Sequence, residues 1–414
     1  MGTMAETPVV GLDVGTKKIA AVVALRSRGG GLTYLDGTTV EAHGVRNGII
    51  VDLQDAVACI ESALCDLEDR SGRRVTTVCV GVGGPHVMGV NAHAGVKVLP
   101  MGREIIHDDI ASAITLAREA LPSMENRDII HEIPRAYRVD GQPGVTDPHG
   151  MLGYELEVDV HYSLGVATTI ANLLKSVKQA RVLPEMLVAA PLAAGEAIRE
   201  AYPHVANLAV ADIGAETTGL TIYTGGTLWS SEVFPGGGAD ITRELASQLK
   251  IPLGAAEDVK LRYGDCDPAG VADFELVDLP PSAGLDSLLP RAEVARIIQQ
   301  CAYALADVLC PRLEEARQAG AEPELLALTG GGSRLLGLDK LLMPALEVPV
   351  EHVPAGARNV PGWLERPEFA VAAGLLLWHA HYSPYDLSPA QNGKQRGLPK
   401  LMTQLRRLVG SAMP

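Results

Sequence analysis

Short apolar runs rich in β-branched residues recur along this chain and alternate with stretches of helical period. A continuous apolar run of this kind, such as 207–211, predicts a strand that is buried on both faces. In the stretch 52–69, by contrast, Val57, Ile60 and Leu64 have the spacing of an amphipathic helix. This alternation of strands and helices predicts an α/β protein.

The same patterns predict the other strands and helices that lie outside the stretch 85–165. Strands are predicted over 9–25 (with one turn inside), 32–45, 75–82, 186–189, 220–224, 228–234 and 325–328. Helices are predicted over 167–180, 191–200, 239–249, 255–263, 291–319 and 369–378. The last of these is apolar on all faces, which predicts a buried helix.

The stretch 85–165 has a different texture and begins at a break, Gly83-Gly84-Pro85. Short strands are predicted there over 96–99, 135–139 and 156–160, around a helix over 108–121 that Asp108 or Asp109 can cap. The sequence therefore predicts a compact α+β insertion of about 80 residues.

Three glycine turns that directly follow apolar runs carry the candidate chemistry: the first turn (11–18), the second turn (212–218) and the third turn (328–333). Glycine lets backbone N–H groups approach phosphate oxygens, threonine adds hydroxyl donors, and aspartate can hold a hydrated Mg²⁺. The first two turns are predicted to be hairpin turns, whereas the third is expected to open a helix from Ser333 onward. Because the first two lie roughly 200 residues apart, the sequence suggests two duplicated halves that grip one polyphosphate.

Composition and charge narrow the classes of function. With 414 residues, 47% of them hydrophobic, the chain can bury large cores and form more than one subdomain. Its net charge of −15 argues against nucleic acid as a partner, and any membrane contact must come from a local basic element. The six cysteines form no C-x-x-C pair and are expected to be reduced core thiols. Since neither a spanning apolar stretch nor a secretory signal is apparent, we expect a soluble cytoplasmic chain.

The order and spacing of the three turns resemble the actin-like ATPase superfamily, in which a phosphate hairpin in each half and an adenosine turn close around ATP. Within that superfamily, the insertion resembles that of the bacterial cell-division family FtsA. The stretches that carry this resemblance are 103–110, 129–135, 139–144 and 147–153, together with 48–52 upstream and 367–375 downstream. The resemblance therefore covers nearly the whole chain, with its motifs in family order.

This resemblance implies an α/β, actin-like two-lobed ATPase fold, made of duplicated RNase H-like domains, with an FtsA-type α+β insertion subdomain. The implied parts are the first-lobe core (1A) at 1–84, 166–197 and 366–384, the insertion (1C) at 85–165, the second-lobe core (2A) at 198–245 and 330–365, the small subdomain of the second lobe (2B) at 246–329, a flexible linker at 385–397 and an amphipathic membrane-targeting helix at 398–414. The family is an ATP-binding adaptor that forms protofilaments by self-assembly. It tethers filaments of the tubulin-like protein FtsZ to the inner leaflet of the cytoplasmic membrane at the septum, and recruits later division proteins.

The resemblance also assigns ligand-binding residues. Asp13 and Asp212 should orient waters around Mg²⁺ and the terminal phosphates of ATP. The other candidates for cofactor binding are Gly15, Thr16, Lys17 and Lys18 in the first turn, Gly214, Ala215, Glu216, Thr217 and Thr218 in the second turn, Gly236 and Gly237 after it, Glu257 and Lys260 near the ribose or adenine, and Gly330, Gly331, Gly332 and Ser333 beneath the adenosine. Two alternatives stay open: Lys17 as an exposed strand-end lysine, and Glu257 with Lys260 as a surface pair on a helix.

The second turn departs from the family's usual Asp-x-Gly-Gly-Gly-Thr-x-Asp form, because Ala215 and Glu216 replace glycines and Gly219 replaces the closing Asp. A carboxylate at Glu216 near the γ-phosphate would repel it unless Mg²⁺ or Lys17 intervenes. We therefore expect ATP binding with weak or negligible ATPase activity. The sequence names no general base.

A second departure concerns the FtsZ C-terminal peptide, which this family binds at subdomain 2B. An arginine usually stands shortly after the isoleucine pair of the long helix there, but here Ile297-Ile298 is followed by Gln299-Gln300-Cys301. Docking of FtsZ would then use other residues, such as Arg291 and Arg296. The alternative is that these two arginines belong to a solvated helix face.

The tail carries an amphipathic pattern after a polar, turn-rich stretch. At about 100° per residue, its apolar positions fall within an arc of about 120°. These positions are Leu398, Leu401, Met402, Leu405, Leu408 and Val409, with Arg407 opposite and Arg406 on the flank. A short basic amphipathic helix on a flexible tether predicts an in-plane membrane anchor. The same pattern also occurs in terminal helices packed on the body and in partner-binding helices.

The chief alternative is an actin-like pilus-assembly ATPase of the PilM type. Such a protein shares the fold and a similar insertion, binds a partner's N-terminal peptide, and is not expected to need the tethered tail. Sugar and acetate kinases share the two-lobed core but place a catalytic carboxylate beside the cleft, for which the sequence offers no candidate. A heat-shock-type chaperone would carry a β-rich domain after the core, where about 30 residues remain.

Overall fold

The computed structural model describes residues 7–27, 31–100, 102–272, 274–279, 288–355 and 360–382. The predicted linker at 385–397 and the predicted amphipathic helix at 398–414 lie outside these residues. Among the helices that are described, none combines the length and apolar character needed to cross a bilayer.

Along the described part of the chain, groups of strands alternate with helices. The strands are β1 (Thr7–Val14), β2 (Lys18–Arg26), β3 (Leu32–Glu41), β4 (Val45–Arg46), β5 (Ile49–Ile50), β6 (Thr77–Val82), β7 (Met88–Lys97), β8 (Arg127–Val139), β9 (Gln142–Val145), β10 (Glu155–Val166), β11 (Leu183–Ala189), β12 (Leu208–Ile213), β13 (Thr217–Thr224), β14 (Thr227–Pro235), β15 (Leu276–Val277), β16 (Leu289–Pro290), β17 (Leu325–Thr329) and β18 (Val350–His352). The helices are α1 (Leu53–Ser71), α2 (His107–Glu119), α3 (Ala167–Gln179), α4 (Ala190–Ala201), α5 (Gly238–Leu249), α6 (Leu253–Tyr263), α7 (Arg291–Gln318), α8 (Leu338–Leu346) and α9 (Ala370–Tyr382).

Two five-stranded sheets of the same topology form the two lobes. Their strand orders are β11-β6-β1-β2-β3 and β14-β13-β12-β17-β18. In each sheet the central strand, β1 or β12, pairs antiparallel with the next strand of a meander and parallel with the strand on its other side. The outer pairings correspond as well. The predicted α/β fold with two duplicated halves is therefore confirmed.

The insertion is a four-stranded sheet, ordered β7-β10-β8-β9, with α2 packed on one face. Its strands are longer than predicted, because outward-facing polar residues such as Asn91 and His93 alternate with inward-facing ones and interrupt the apolar runs. Helix α2 begins at His107 and its N-cap residue is Ile106, so Asp109 caps the helix from its first turn and not from the N-cap position. Asp109 lies inside the first turn and accepts a hydrogen bond from the Ile106 N–H (2.9 Å).

The insertion also rests against the second lobe, at the carbonyl oxygen of Trp229 in β14. Arg135 Nη1 donates to this oxygen (2.7 Å), and so does Asn91 Nδ2 (3.1 Å). The Arg135 guanidinium also lies 6.0 Å from the Trp229 ring centroid. Burial at this contact lowers the pKa of Arg135. A desolvated guanidinium with two partners on Trp229 is therefore one of the contacts through which the insertion meets the second lobe.

Two buried helices, α4 and α9, cross behind the first-lobe sheet. They approach so closely that a methyl group at Gly374 would overlap the Ala193 carbonyl oxygen. Helix α9 is the buried helix predicted from its uniformly apolar sequence, and it packs on β1. Helix α4 also packs on β12 and β13 of the second lobe, so this crossing connects the two sheets.

Candidate functional site

The first and second turns are hairpin turns of the same geometry, one in each lobe. Gly15 N–H donates to Lys18 O (3.0 Å), and Gly214 N–H donates to Thr217 O (2.8 Å). Each turn joins the central strand of its sheet to the antiparallel neighbour. Because the strands have matching registers, the duplication brings both turns to corresponding places in their lobes.

Two carboxylates, Asp13 and Asp212, lie one residue before the ends of the two central strands and close enough to influence each other. Burial raises the pKa of Asp212 to about 7, and the nearby charge of Asp13 adds to this effect. Burial also raises the pKa of Asp13, although Lys18, whose Nζ lies 3.8 Å from Asp13 Oδ2, opposes the increase. The Lys18 charge also acts on Asp212. The three groups therefore form one electrostatic unit where the two lobes meet.

The side chains of the first turn point in three directions. Lys18 Nζ donates to the Glu368 carbonyl oxygen, which holds the ammonium beside Asp13. Thr16 Oγ1 accepts a hydrogen bond from the Gly48 N–H (3.0 Å). Lys17 is exposed, and its charge contributes to lowering the pKa of Glu257 in the other lobe. Lys17 is thus an exposed residue of the turn whose charge acts on a carboxylate of the other lobe.

The second turn is held by the segment that follows β14. Gly238 N–H donates to Gly214 O (3.0 Å), Ala239 N–H donates to Ala215 O (2.7 Å), and Gly236 N–H donates to Glu216 O (2.9 Å). The Gly237 N–H donates to Asp240 Oδ2 (2.8 Å). The amides of Gly236 and Gly237 therefore hold the second turn and its neighbouring helix in place, and they are engaged within the protein.

Two side chains of the second turn are also engaged. The buried Thr218 hydroxyl donates to Gly236 O (2.8 Å). The sequence had suggested a Glu216 carboxylate near the γ-phosphate, but the structure shows that this carboxylate has partners within the protein. Its Oε2 accepts a hydrogen bond from the Asn47 N–H (2.7 Å), and its Oε1 lies 3.2 Å from Arg243 Nη1. The partners of the Glu216 carboxylate are therefore Asn47 and Arg243, and neither Mg²⁺ nor Lys17 is needed to explain its charge.

The third turn lies directly on the second. A methyl group at Gly330, whose φ is +81°, would overlap Asp212 Oδ1, and one at Gly332 would lie 3.0 Å from Ile213 O. The prediction that Ser333 opens a helix is wrong. Residues Gly331–Arg334 form a single 3-10 turn, and the next helix begins at Leu338. The Ser333 hydroxyl donates to Gly330 O (2.8 Å), so it closes its own turn.

Glu257 and Lys260 are paired, but they do not form a surface pair. Lys260 Nζ lies 2.8 Å from Glu257 Oε2 and also donates to Gly238 O (2.9 Å) and to Thr242 Oγ1 (2.8 Å). The Lys260 side chain is 12% exposed. A Cβ at Gly238 would lie 3.7 Å from Lys260 Nζ and 3.8 Å from Gly332 Cα, so this network borders both the second and the third turn.

Sequence reasoning missed two groups that connect these turns. The Asn47-Gly48 turn donates to both hairpins, and its signal was the Asn-Gly pair, which favours a tight hairpin turn. Glu368 accepts from Lys18 through its carbonyl, and its Oε1 accepts from Arg334 Nη1 (2.8 Å). Glu368 lies inside the stretch 367–375 that carries the family resemblance, but no local pattern indicates its contacts, because they come from tertiary packing.

The arrangement suits a polyanion together with a divalent cation. Two desolvated carboxylates of raised pKa demand a positive partner, and oxygen ligands are those that Mg²⁺ prefers. Within the described residues no three His, Cys, Asp or Glu side chains cluster as metal ligands, so a cation here would keep water or ligand oxygens in its remaining positions.

Family models match both parts of the molecule. One described as "Cell division protein FtsA" matches residues 209–374, and one described as "SHS2 domain inserted in FTSA" matches residues 84–163. Together they span more than half of the chain. The α+β insertion predicted from sequence is therefore confirmed as the type found in FtsA.

Curated relatives support the same assignment. The chain is 28% identical to cell division protein FtsA of Neisseria meningitidis over 88% of each protein. It is 28% identical to FtsA of Pseudomonas aeruginosa over 93% of this chain and 92% of that protein. With FtsA of Escherichia coli K12 it shares 26% identity over 89% of each.

Solved structures share the fold. The PilM-PilN type IV pilus biogenesis complex matches with a TM-score of 0.65 and 22% identity, over 91% of this chain and 99% of that chain. MreB5 of Spiroplasma citri bound to ADP matches with a TM-score of 0.50 and 15% identity, over 90% and 96%. At these identities the likeness concerns the fold alone, and it confirms the predicted actin-like, two-lobed architecture.

Proposed function

The chain belongs to the FtsA family of cell-division proteins, and from this membership we propose that it is an ATP-binding, actin-like adaptor. In this proposal it polymerises into protofilaments and tethers FtsZ filaments to the cytoplasmic face of the membrane at the division site. A terminal amphipathic helix provides the membrane contact, and later division proteins bind the assembled polymer.

The observation that carries the nucleotide part of this proposal is the facing pair Asp13 and Asp212. They lie one residue before the ends of equivalent strands of two duplicated lobes, with Lys18 beside them and a glycine turn following each. Burial and mutual repulsion raise the pKa of Asp212, which a cation would relieve. The metal of a bound nucleotide would neutralise the charge of the carboxylates, and its phosphate oxygens would accept hydrogen bonds from main-chain donors of the turns.

Each part of the cleft has a proposed role. Asp13 and Asp212 orient the waters of Mg²⁺, and Lys18 and the two turns bind the phosphates. When bound, Mg²⁺ supplies positive charge that neutralises the phosphates against the two carboxylates. Glu257 and Lys260 offer polar groups to the ribose or adenine, and the third turn passes beneath the adenosine.

We propose that hydrolysis is weak or negligible. Asp13 and Asp212 both belong to the proposed cation site, so neither is proposed as a general base. Glu216 is tied to Asn47 and Arg243, so it is not available to accept a proton from water. A nucleotide would then act mainly as a structural ligand of the closed cleft.

The small subdomain of the second lobe is the proposed docking region for the FtsZ C-terminal peptide. It exposes several large apolar side chains, which on a soluble surface often mark a partner site. They are Leu253, Leu261, Phe274 (84% exposed), Leu276, Leu288 and Tyr303. Of the two arginines considered from sequence, Arg291 is held by Glu275 (2.6 Å) and Asp265 (3.4 Å), whereas Arg296 is exposed. We therefore favour Arg296 as the charged contact.

Membrane attachment is tested by co-sedimentation with liposomes that contain phosphatidylglycerol, with and without FtsZ. Leu405 lies on the proposed apolar arc and Thr403 lies off it, so Leu405→Glu and Thr403→Glu change the charge equally. We expect Leu405→Glu to reduce pelleting about tenfold or more, because it places a charge in the buried arc. Thr403→Glu should have a small effect.

FtsZ should pellet with the liposomes only when the full-length chain is present. Equal pelleting of the full-length chain and of a chain ending at residue 397 would contradict membrane tethering. Failure of FtsZ to follow the chain onto the liposomes would contradict the adaptor role.

A further inference from the structure

One short turn of the first lobe contacts both glycine hairpins. Asn47 and Gly48 form the tight turn between β4 and β5, with φ angles of +50° and +68°. Gly48 N–H donates to Thr16 Oγ1 in the first turn (3.0 Å), and Asn47 N–H donates to Glu216 Oε2 in the second turn (2.7 Å). Successive amides of one turn thus bond to the two different lobes.

Both ends of the bond between the lobes are held rigidly. On the first-lobe side, a Cβ at Gly48 would lie 2.5 Å from Gly83 O, so the turn fits closely against the strand end. On the second-lobe side, Arg243 pairs with the other oxygen of Glu216 (3.2 Å), and Arg243 is itself paired with Asp240. The Glu216 side chain is 13% exposed. The carboxylate is therefore oriented by its own lobe to receive a donor from the other.

We propose that Glu216 is a positioning residue that latches the two lobes together at the turn end of the cleft. The latch consists of the Glu216 carboxylate, the Asn47 N–H and the supporting Arg243. It holds the cleft closed without any ligand, so the spacing of the two hairpins is set before a nucleotide arrives. The latch thus adds a positioning step to the proposed nucleotide site, and its biological role rests on that proposed function.

The latch must break whenever the lobes separate. Its bond is a hydrogen bond from a backbone amide to a carboxylate, a type that contributes more than a neutral hydrogen bond. Its partial exposure reduces that contribution. Loss of the carboxylate should therefore shift the equilibrium between closed and open cleft about five- to tenfold toward the open form.

The test measures lobe separation in the nucleotide-free protein by single-molecule energy transfer. All six cysteines are among the described residues, and Cys65 on α1 and Cys310 on α7 are the exposed ones. They lie on different lobes and can carry the two dyes, once the half-buried Cys59 and Cys301 are replaced by serine. Glu216→Gly removes the latch, and Glu216→Gln keeps an oxygen acceptor but removes the charge.

Glu244→Gln is the matched control. Glu244 lies on α5 in the same lobe, is partly exposed, and accepts a hydrogen bond from Gln248 (2.7 Å) on the same helix. We expect the open population to increase about five- to tenfold in Glu216→Gly, less in Glu216→Gln, and not at all in the control. If Glu216→Gln and Glu216→Gly leave the distribution as in the parent protein, or if the control shifts it equally, the latch is overturned.

This measurement contains no nucleotide, so its outcome is independent of whether the cleft binds ATP. A shifted distribution in a protein that binds no nucleotide would support the latch and contradict the proposed function. The two ideas can therefore fail separately.

Discussion

The first turn and the second turn occupy the same place in two lobes of the same topology, and each closes with a hydrogen bond between corresponding residues. Their side chains, however, carry opposite charge. Where the first turn has Lys17 and Lys18, the second has Glu216 and Thr217. Duplication has preserved the main-chain geometry that can meet an anion, while the side chains have taken on separate tasks.

These tasks are visible in the contacts. Lys18 is held by the Glu368 carbonyl beside Asp13, so the first turn supplies fixed positive charge where the two lobes meet. Glu216 is held by Arg243 and reaches across to Asn47, so the second turn supplies a link between the lobes. The comparison teaches that the shared function lies in the backbone, and the difference between the turns lies in the side chains.

The largest expected effect comes from the backbone that the two turns share. In both, a Cβ on the first glycine would lie 2.9 Å from the carbonyl oxygen that closes the turn, at Lys18 or at Thr217. Gly15→Val and Gly214→Val should therefore each lower the affinity for Mg²⁺–ATP about 100-fold, measured by isothermal titration calorimetry. Gly254→Val, at a site with no atom within 4 Å of the added Cβ, is the control. Clearly unequal losses of ATP affinity in the two variants would contradict the equivalence of the two turns.

A smaller effect separates the two carboxylates through pH. Since the folded-state pKa of Asp212 is raised from 3.8 to about 7, its contribution is fully present below about pH 4 and is lost as the pH rises through about 7. Asp13 shifts in the same direction, but Lys18 offsets part of its shift. In EDTA, the Tm should therefore fall between about pH 4 and about pH 7, and Asp212→Asn should flatten this fall more than Asp13→Asn. Equal slopes in the parent protein and in Asp212→Asn would contradict the assignment.

The opposite charges at corresponding positions predict opposite effects on nucleotide choice. Lys17→Ala should lower the affinity for ATP relative to ADP, and Glu216→Ala should raise it, each about threefold to fivefold. The ratio is the informative quantity, because loss of the latch affects both nucleotides alike. Competition with a fluorescent nucleotide measures it. A change in the same direction for both variants would show that charge does not distinguish the turns.

The smallest effect concerns the Thr16 hydroxyl, whose counterpart in the second turn is Ala215. Thr16→Val removes the acceptor of the Gly48 N–H, so hydrogen exchange at residues 45–50 should quicken about twofold. Ala215→Ser adds a hydroxyl at the matching place and should leave that segment unchanged. Unchanged exchange in Thr16→Val would mean that this contact does not restrain the Asn47-Gly48 turn.

The parts of this molecule that could be predicted from sequence are those determined by local pattern. The hairpins at 11–18 and 212–218 were predicted because a buried strand followed by a glycine turn leaves few other conformations. The buried helix α9 was predicted from its uniformly apolar sequence. The presence of two duplicated halves was then inferred from the two hairpins, which contain similar residues.

The features that sequence reasoning missed depend on tertiary contact. The partners of Glu216 are Asn47, far away in the chain, and Arg243, on a helix that begins after β14. The helix expected at Ser333 gave way to a 3-10 turn, because the third turn must fit closely against Asp212 and Ile213. The outward-facing polar residues of β7 also concealed most of that strand.

Equilibrium dialysis of the purified chain against ATP, with Mg²⁺ and then with EDTA, tests the central claim most directly. The claim is that one nucleotide lies between the two turns, with its charge balanced at Asp13 and Asp212. It predicts one ATP bound per chain in Mg²⁺, much weaker binding in EDTA, and loss of binding in both Gly15→Val and Gly214→Val. No binding by the parent protein, or binding that both variants retain, would contradict it.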